Sequence, residues 1–382
     1  MSNLSRESIS DMDEQVIKNT PKLGFGLMRL PKKEDGSFDI EQIKKMVDLF
    51  LKEGFTYFDT AYIYEGSEEA MKEALIDRYP RDRYTVATKL NAAFVKDEES
   101  AKSELDISLQ RSGAGYFDYY LLHALDDKNY QKYDEYHLWD FVKQAKEEGK
   151  IHHIGFSFHG TPELLDSLLS KHPEAEFVQL QINYSDWESP SVKARENYET
   201  VRKYGKPVVI MEPVRGGALA NPIDPVKTAF DQSGSNASYA SWAIRFAASL
   251  DGVLTVLSGM TTLEQMEDNV SYMKDFKPLN DEERNVILKV QDILSGINSI
   301  PCTGCSYCTG GCPMGIQIPD IFSARNKQLI YGATDWARRE YDRATRDGNT
   351  ASTCIQCGQC ESVCPQGINI IERLKECAEI FD

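Results

Sequence analysis

The sequence predicts an α/β protein in two parts: a closed (β/α)8 barrel followed by a small, mostly helical, cysteine-rich module. Three observations carry this. Short apolar runs alternate with longer amphipathic segments eight times before residue 298, most of those runs are apolar almost throughout, and all nine cysteines of the 382 residues lie beyond that point. Near-continuous apolar strands belong to parallel sheets covered by helices. A barrel of this kind takes about 250 residues, so the units expected are 1–297 and 298–382. An open doubly wound sheet fits the same alternation, but no G-x-G-x-x-G follows the first strand, where that fold binds a dinucleotide.

Residues 1–20 are polar, lack periodicity and read as a loosely held arm. KLGFGLMRLP reads as the first strand. DIEQIKKMVDLFLKEG places Ile40, Ile43, Met46, Val47, Phe50 and Leu51 on one helical face, with Gly54 just past its end. Strand 55–58, a helix over 67–78, strand 83–88, a helix over 98–112, strand 117–122 and a helix over 137–148 follow. IHHIGFS, EFVQLQI, PVVIM and GVLTVLS read as the remaining strands, separated by PELLDSLLSK, SVKARENYETVRKYG and a helix over 238–249.

The net charge is −17, which repels phosphate backbones and anionic lipid and argues against nucleic-acid or membrane-surface partners. The N-terminal stretch MSNLSRESISDMDEQ has no apolar core of signal-peptide length. No segment approaches the roughly 20 apolar residues of a membrane span. A soluble, cytoplasmic protein is expected.

Several strands end on ionisable residues. The run Phe55, Tyr57, Phe58 stops at Asp59, YTVATK delivers Lys89, FDYYLLH delivers His123, and Tyr64 follows in a turn beside Gly66. Taken singly, an Asp at a strand end caps the next helix and a Lys there is solvated. Together they form one chemical unit. A phenol of ordinary pKa about 10 becomes a better acid when an ammonium stabilises its phenolate. Lys89 supplies that charge, Asp59 holds Lys89, and His123 hydrogen-bonds a substrate carbonyl.

DTAYIY, the Lys89 strand end and the LLH strand end resemble the Asp, Tyr, Lys and His tetrad of the aldo-keto reductases, over roughly residues 20–295. The resemblance implies the barrel, a nicotinamide cofactor extended across its mouth, reduction of a small carbonyl compound or oxidation of an alcohol, and Tyr64 as general acid. It points to Ser157, Gln181, Gly259, Gln265 and Asn269, in GFSFHG, VQLQINYSD and VLSGMTTLEQMEDN, as cofactor contacts. The chain departs from the family in three places. Phe158 stands where Asn is common, Gly259 and Gln265 stand where a 2′-phosphate meets Arg or Lys, and Met211 and Glu212 replace an aromatic platform. NADPH and NADH both stay open, as does another redox cofactor.

The last part carries two identical runs, Cys302-x2-Cys305-x2-Cys308-x3-Cys312-Pro313 and Cys354-x2-Cys357-x2-Cys360-x3-Cys364-Pro365. Such runs fit two [4Fe-4S] clusters, three thiolates of one run wrapping a cluster while the fourth reaches the other. One set is then Cys302, Cys305, Cys308 and Cys364, the other Cys354, Cys357, Cys360 and Cys312. Structural zinc uses paired spacings without the third thiol, and disulfides do not suit a cytosolic chain. The ninth cysteine, Cys377, shares an apolar stripe with Leu374 and Ile380 and reads as a core thiol. The module resembles bacterial two-cluster ferredoxins, with 41 residues, 313–353, inserted between the runs. Within them ARNKQLIYG and ARREYDRATRDG read as helices that dock the module on the barrel.

Nicotinamide passes an electron pair and each cluster a single electron, so a flavin or another mediator would have to split the pair. No flavin signature is visible. Three readings stay open: a reductase exchanging electrons with a ferredoxin or flavodoxin through its clusters, an electron-transfer iron–sulfur protein whose barrel no longer reduces carbonyls, and an NAD(P)H reductase with structural clusters.

Overall fold

The computed structural model describes residues 14–302 and 304–382, so the first thirteen residues of the expected arm lie outside the described residues. Eight strands, β1 (Leu23–Gly26), β2 (Tyr57–Asp59), β3 (Thr85–Leu90), β4 (Phe117–Leu125), β5 (Ile151–Phe158), β6 (Phe177–Gln181), β7 (Val208–Met211) and β8 (Val253–Ser258), pair in chain order. Every pairing is parallel and β8 closes onto β1. The expected barrel is therefore observed. Several of its helices start where short polar side chains take up free backbone N–H groups. Asp39 accepts from Gln42 N (3.2 Å) ahead of Ile40–Lys52, and Thr161 and Thr262 do the same ahead of Pro162–Lys171 and Leu263–Met273.

Inside the barrel, Tyr57, Ala87, Tyr119, Leu121, Phe177, Val209, Leu254 and Leu257 form one buried cluster. Val16 and Ile17, from the short helix Glu14–Asn19, pack against it. The expectation of a loose arm is corrected here: a six-residue helix is too short for a periodicity to stand out. Phe177 fills the interior so closely that a Cβ on Gly155 would lie 2.5 Å from its ring. Glycine at 155 is what lets β5 pass that ring.

The chain divides into two compact units: the part up to Arg215 with Ala240–Asn280, and Gly216–Tyr239 with Asp281–Asp382. The second unit thus gathers more than the cysteine-rich segment, because helix Asp281–Ser295 packs against helix Asp224–Asp231. In the same unit Ile318–Tyr331 and Thr334–Ala344 form the two helices read from the insertion, and Ile370–Phe381 ends the chain. Ile318, Ile321, Phe322, Ala337, Tyr341 and Leu374 build its core around Cys308 and Cys360. Cys377 is fully buried in that core. No helix among the described residues is long and apolar enough to cross a membrane.

Candidate active site and cluster cavities

Residues two apart on a strand share a face. Above the interior cluster this brings Asp59 after Tyr57, Lys89 after Ala87, His123 after Tyr119 and Leu121, and Gln179 and Gln181 after Phe177. All but Gln179, which is mid-strand, sit at or near the C-terminal ends of their strands, where barrels carry chemistry. Tyr64 comes from the loop after β2. That loop keeps pairing with β3 through Thr60 N to Ala87 O (2.8 Å) and Tyr62 N to Lys89 O (3.1 Å). It then turns tightly, Ser67 N bonding Tyr64 O (2.9 Å), with Gly66 at φ 74°.

Lys89 is fully buried, and its Nζ donates to Asp59 Oδ1 and to Thr60 O, both at 2.6 Å. The same Nζ lies 5.3 Å from the Tyr64 ring centroid. The rings of Tyr64 and His123 meet edge to face at 5.8 Å. The structure therefore brings the three strand-end residues and Tyr64 together. Asp59 Oδ2 and His123 Nδ1 are buried with no hydrogen-bond partner among the described residues.

Burial holds the His123 imidazole well below its usual range, with Lys89 and His159 adding to the effect. His123 is neutral at physiological pH. Burial also pushes the Asp59 carboxyl up, against the pull of Lys89. For Tyr64, burial raises the phenol and outweighs the lowering by Lys89, with Asp59 and Glu212 adding to the rise. The expected lowering by the ammonium is thus present but is not the larger effect. Tyr64 keeps its proton at neutral pH.

His123 sits just before an irregularity. Leu122 pairs with Phe156 and Leu125 with Phe158, so β4 spends three residues where β5 spends two. Ala124 takes a left-handed φ of 58° and its N–H donates to Ser157 Oγ (2.7 Å). A bulge of this kind re-aims the neighbouring side chain. Ser157, fully buried, supports the position of His123.

In the second unit the cysteines line two cavities of similar size. One is lined by Cys302, Cys305, Cys308 and Cys364. The other is lined by Cys354, Cys357, Cys360 and Cys312. Each run crosses to complete the other's set, and Ile318 lines both. Among the described residues no three His, Cys, Asp or Glu side chains converge on one ion-sized point. Four thiols around each cavity are the number a [4Fe-4S] cluster takes. The backbone repeats too: Gly304 and Ser306 (φ 74° and 62°) match Gln356 and Gly358 (58° and 76°), and Gly315 matches Gly367 (63° and 60°). Left-handed residues within such turns face successive N–H groups into a concavity that binds anionic groups.

The aldo/keto reductase family profile matches residues 22–292. The chain belongs to that family. A 4Fe-4S dicluster domain matches residues 301–369. A methylglyoxal reductase of Yersinia pestis is 28% identical over 51% of this chain and 68% of its own length. An aldo-keto reductase of Strobilurus tenacellus is 28% identical over 52% of this chain, which spans only 59% of that protein. Two solved structures share the fold. An aldo-keto reductase of Bacillus halodurans in its holo form is 24% identical, with a TM-score of 0.56 over 70% of this chain and 91% of that one. An aldo/keto reductase of Klebsiella pneumoniae in complex with NADP and acetate is 20% identical, with a TM-score of 0.57 over 71% of this chain and 92% of that one.

This aldo/keto reductase is an oxidoreductase, and its five expected cofactor contacts are placed unevenly. Asn269 is buried, its amide donating to Ser258 Oγ (2.7 Å) while its carbonyl accepts from Tyr272 OH (2.6 Å). Gln181 donates to Asp186 Oδ2 (3.0 Å) and Gln265 accepts from Thr261 N (2.8 Å), so both order loops. Gly259 is exposed, with the Arg29 guanidinium 3.9 Å from where its Cβ would be.

Two features escape the sequence. Gln179 is buried, its Oε1 has no partner among the described residues, and its Nε2 reaches Met211 Sδ at 3.5 Å. Its alternation with Gln181 was the available signal. Arg29, after β1, pairs at 3.1 Å with Glu212, which follows β7 at a left-handed φ of 54°. Nothing in the local sequence joins residues 183 positions apart.

Proposed function

We propose that the barrel reduces a small carbonyl compound, or oxidises the corresponding alcohol, at Tyr64, Lys89, Asp59 and His123, and that the cysteine-rich unit relays single electrons through two [4Fe-4S] clusters. The observation that carries the first part is the fully buried Lys89, fixed between Asp59 Oδ1 and Thr60 O beneath the Tyr64 ring. A nicotinamide, NADPH or NADH, supplies the hydride when bound. The bare Gly259 beside Arg29 gives its phosphates an approach without side-chain obstruction. Neutral His123 orients the carbonyl oxygen through a ring nitrogen. Tyr64, protonated at neutral pH, delivers its proton to that oxygen as charge develops there. Lys89 then steadies the phenolate, and Asp59 keeps the ammonium from turning away.

The clusters fit the cavities, with Cys302, Cys305, Cys308 and Cys364 around one and Cys354, Cys357, Cys360 and Cys312 around the other. Their chemistry is the passage of one electron each, so the pair together matches the two electrons of one hydride. A ferredoxin or flavodoxin is the partner this suits, with a flavin as the group that would divide the pair.

The test is Tyr64→Phe. Carbonyl reduction should fall about 10²- to 10⁴-fold, the range for a lost general acid, with cofactor affinity nearly unchanged because the hydroxyl acts in the transition state. Undiminished rates on aldehydes and ketones in this variant would remove the barrel chemistry.

A further inference from the structure

We infer that the two cavities make the two clusters unequal, the one held by Cys302, Cys305, Cys308 and Cys364 being the easier to reduce. This rests on the reading that both cavities hold a cluster. Reduction adds one electron, and so one unit of negative charge, to a cluster. Polar groups and water around it favour that charge, whereas an apolar wall disfavours it. The cavities differ in this respect. Apart from its cysteines, the second is lined only by apolar residues, Met314, Ile355 and Leu374 among them. The first has Ser306 and Gln366 in its wall, both exposed to solvent.

The contrast falls at equivalent places in the two runs. Gln366 follows Cys364-Pro365 as Met314 follows Cys312-Pro313, and Ser306 follows Cys305 as Gly358 follows Cys357. Charge points the same way. Glu361, next to Cys360, is half-buried with Oε1 accepting from Ile371 N (2.9 Å), whereas the equivalent residue of the first run is the neutral Thr309. The acid near the first cavity, Asp320, is exposed and therefore better screened by water. An electron entering at either cavity settles first on the side of Cys302.

The reciprocal exchanges Gln366→Met and Met314→Gln test this, since each installs the residue that the other run already tolerates at nearly constant volume. Protein purified without oxygen is titrated with a low-potential one-electron reductant while the paramagnetic signals are followed, and iron is assayed in the same samples. Wild type should reduce in two one-electron steps. Gln366→Met should move only the upper step to lower potential, Met314→Gln only the lower step to higher potential, and the double exchange should narrow the gap. The ordering is overturned if wild type shows one coincident step, if Gln366→Met acts on the lower step, or if neither exchange moves either step. Iron for one cluster or none overturns the underlying two-cluster reading instead, and the assay reports that separately.

Discussion

At the barrel mouth each functional side chain arrives from a different part of the chain, Asp59 from β2, Tyr64 from the loop after it, Lys89 from β3 and His123 from β4. In the cysteine-rich unit three of the four sulfurs around each cavity come from seven consecutive residues, and only the fourth crosses from the other run. The first site is held by strand register and by the burial of paired charge. The second is held by turn geometry, left-handed residues recurring at the same steps of both runs. Damage should therefore spread differently. A lost partner at the mouth leaves a charge stranded in the protein interior, whereas a lost thiol leaves a small polar gap at a cavity wall.

The largest effect expected after Tyr64→Phe is that of Lys89→Met. It strands the Asp59 carboxyl, and breaking a buried pair by removing one member costs about 3–5 kcal/mol. Denaturant unfolding should register that loss, and Asp59→Asn in the same chain should return part of it. A Lys89→Met protein as stable as wild type would show that the mouth does not depend on this pair. Cys357→Ser, at an exposed ligand, should act on composition instead, iron falling from about eight per chain toward half that in anaerobic protein. Zinc in place of iron in the unaltered protein would end the contrast, because both sites would then be held by convergent ligands.

A pH effect should mark the barrel unit. Burial pushes the Glu104 carboxyl up to about 8, although Asn91 N donates to it at 2.8 Å. Glu68, buried nearby, shifts in the same direction for the same cause. Between the ordinary carboxylate value near 4.3 and about 8, the folded chain holds a proton that the unfolded chain has lost. Stability from this group is therefore present at low pH and declines as pH rises through the window. Glu104→Gln should flatten the decline in melting temperature between pH 5 and 8, and an unchanged slope would place its origin elsewhere. The smallest effect belongs to Gln356→Gly. It removes a side chain from a left-handed position that the first run fills with Gly304, and should raise thermal stability by up to about 1 kcal/mol.

Much of both sites was legible because their signals are local. Apolar runs ending in Asp59, Lys89 and His123 reveal strand ends, and cysteine spacing picks out the thiols that line each cavity, the crossing fourth included. What stayed hidden depends on contacts between distant segments. Ser157 reads as a cofactor contact, and its second task, accepting the backbone N–H of Ala124 at the bulge, shows only in the fold. Asn269 reads likewise, and its bonds to Ser258 and Tyr272 are equally out of sight in the sequence. The Tyr64 shift runs opposite to the sequence expectation for a related reason: the sequence displays the neighbouring charge but not the depth at which the phenol is buried. Val16 and Ile17 looked like part of a polar arm because two apolar residues make no pattern without the cluster they meet.

The close approach of Phe177 to Gly155 binds the future of these two positions together. A methyl group at 155 has no room while the ring is present, and a smaller residue at 177 leaves a hole that glycine cannot fill. Neither can drift alone at little cost, although they lie on different strands and neither touches a reacting group. Related chains should thus vary at 155 and 177 in concert, exchanging bulk from one strand to the other, and a substitution harmful in this background should become tolerable after its counterpart has changed.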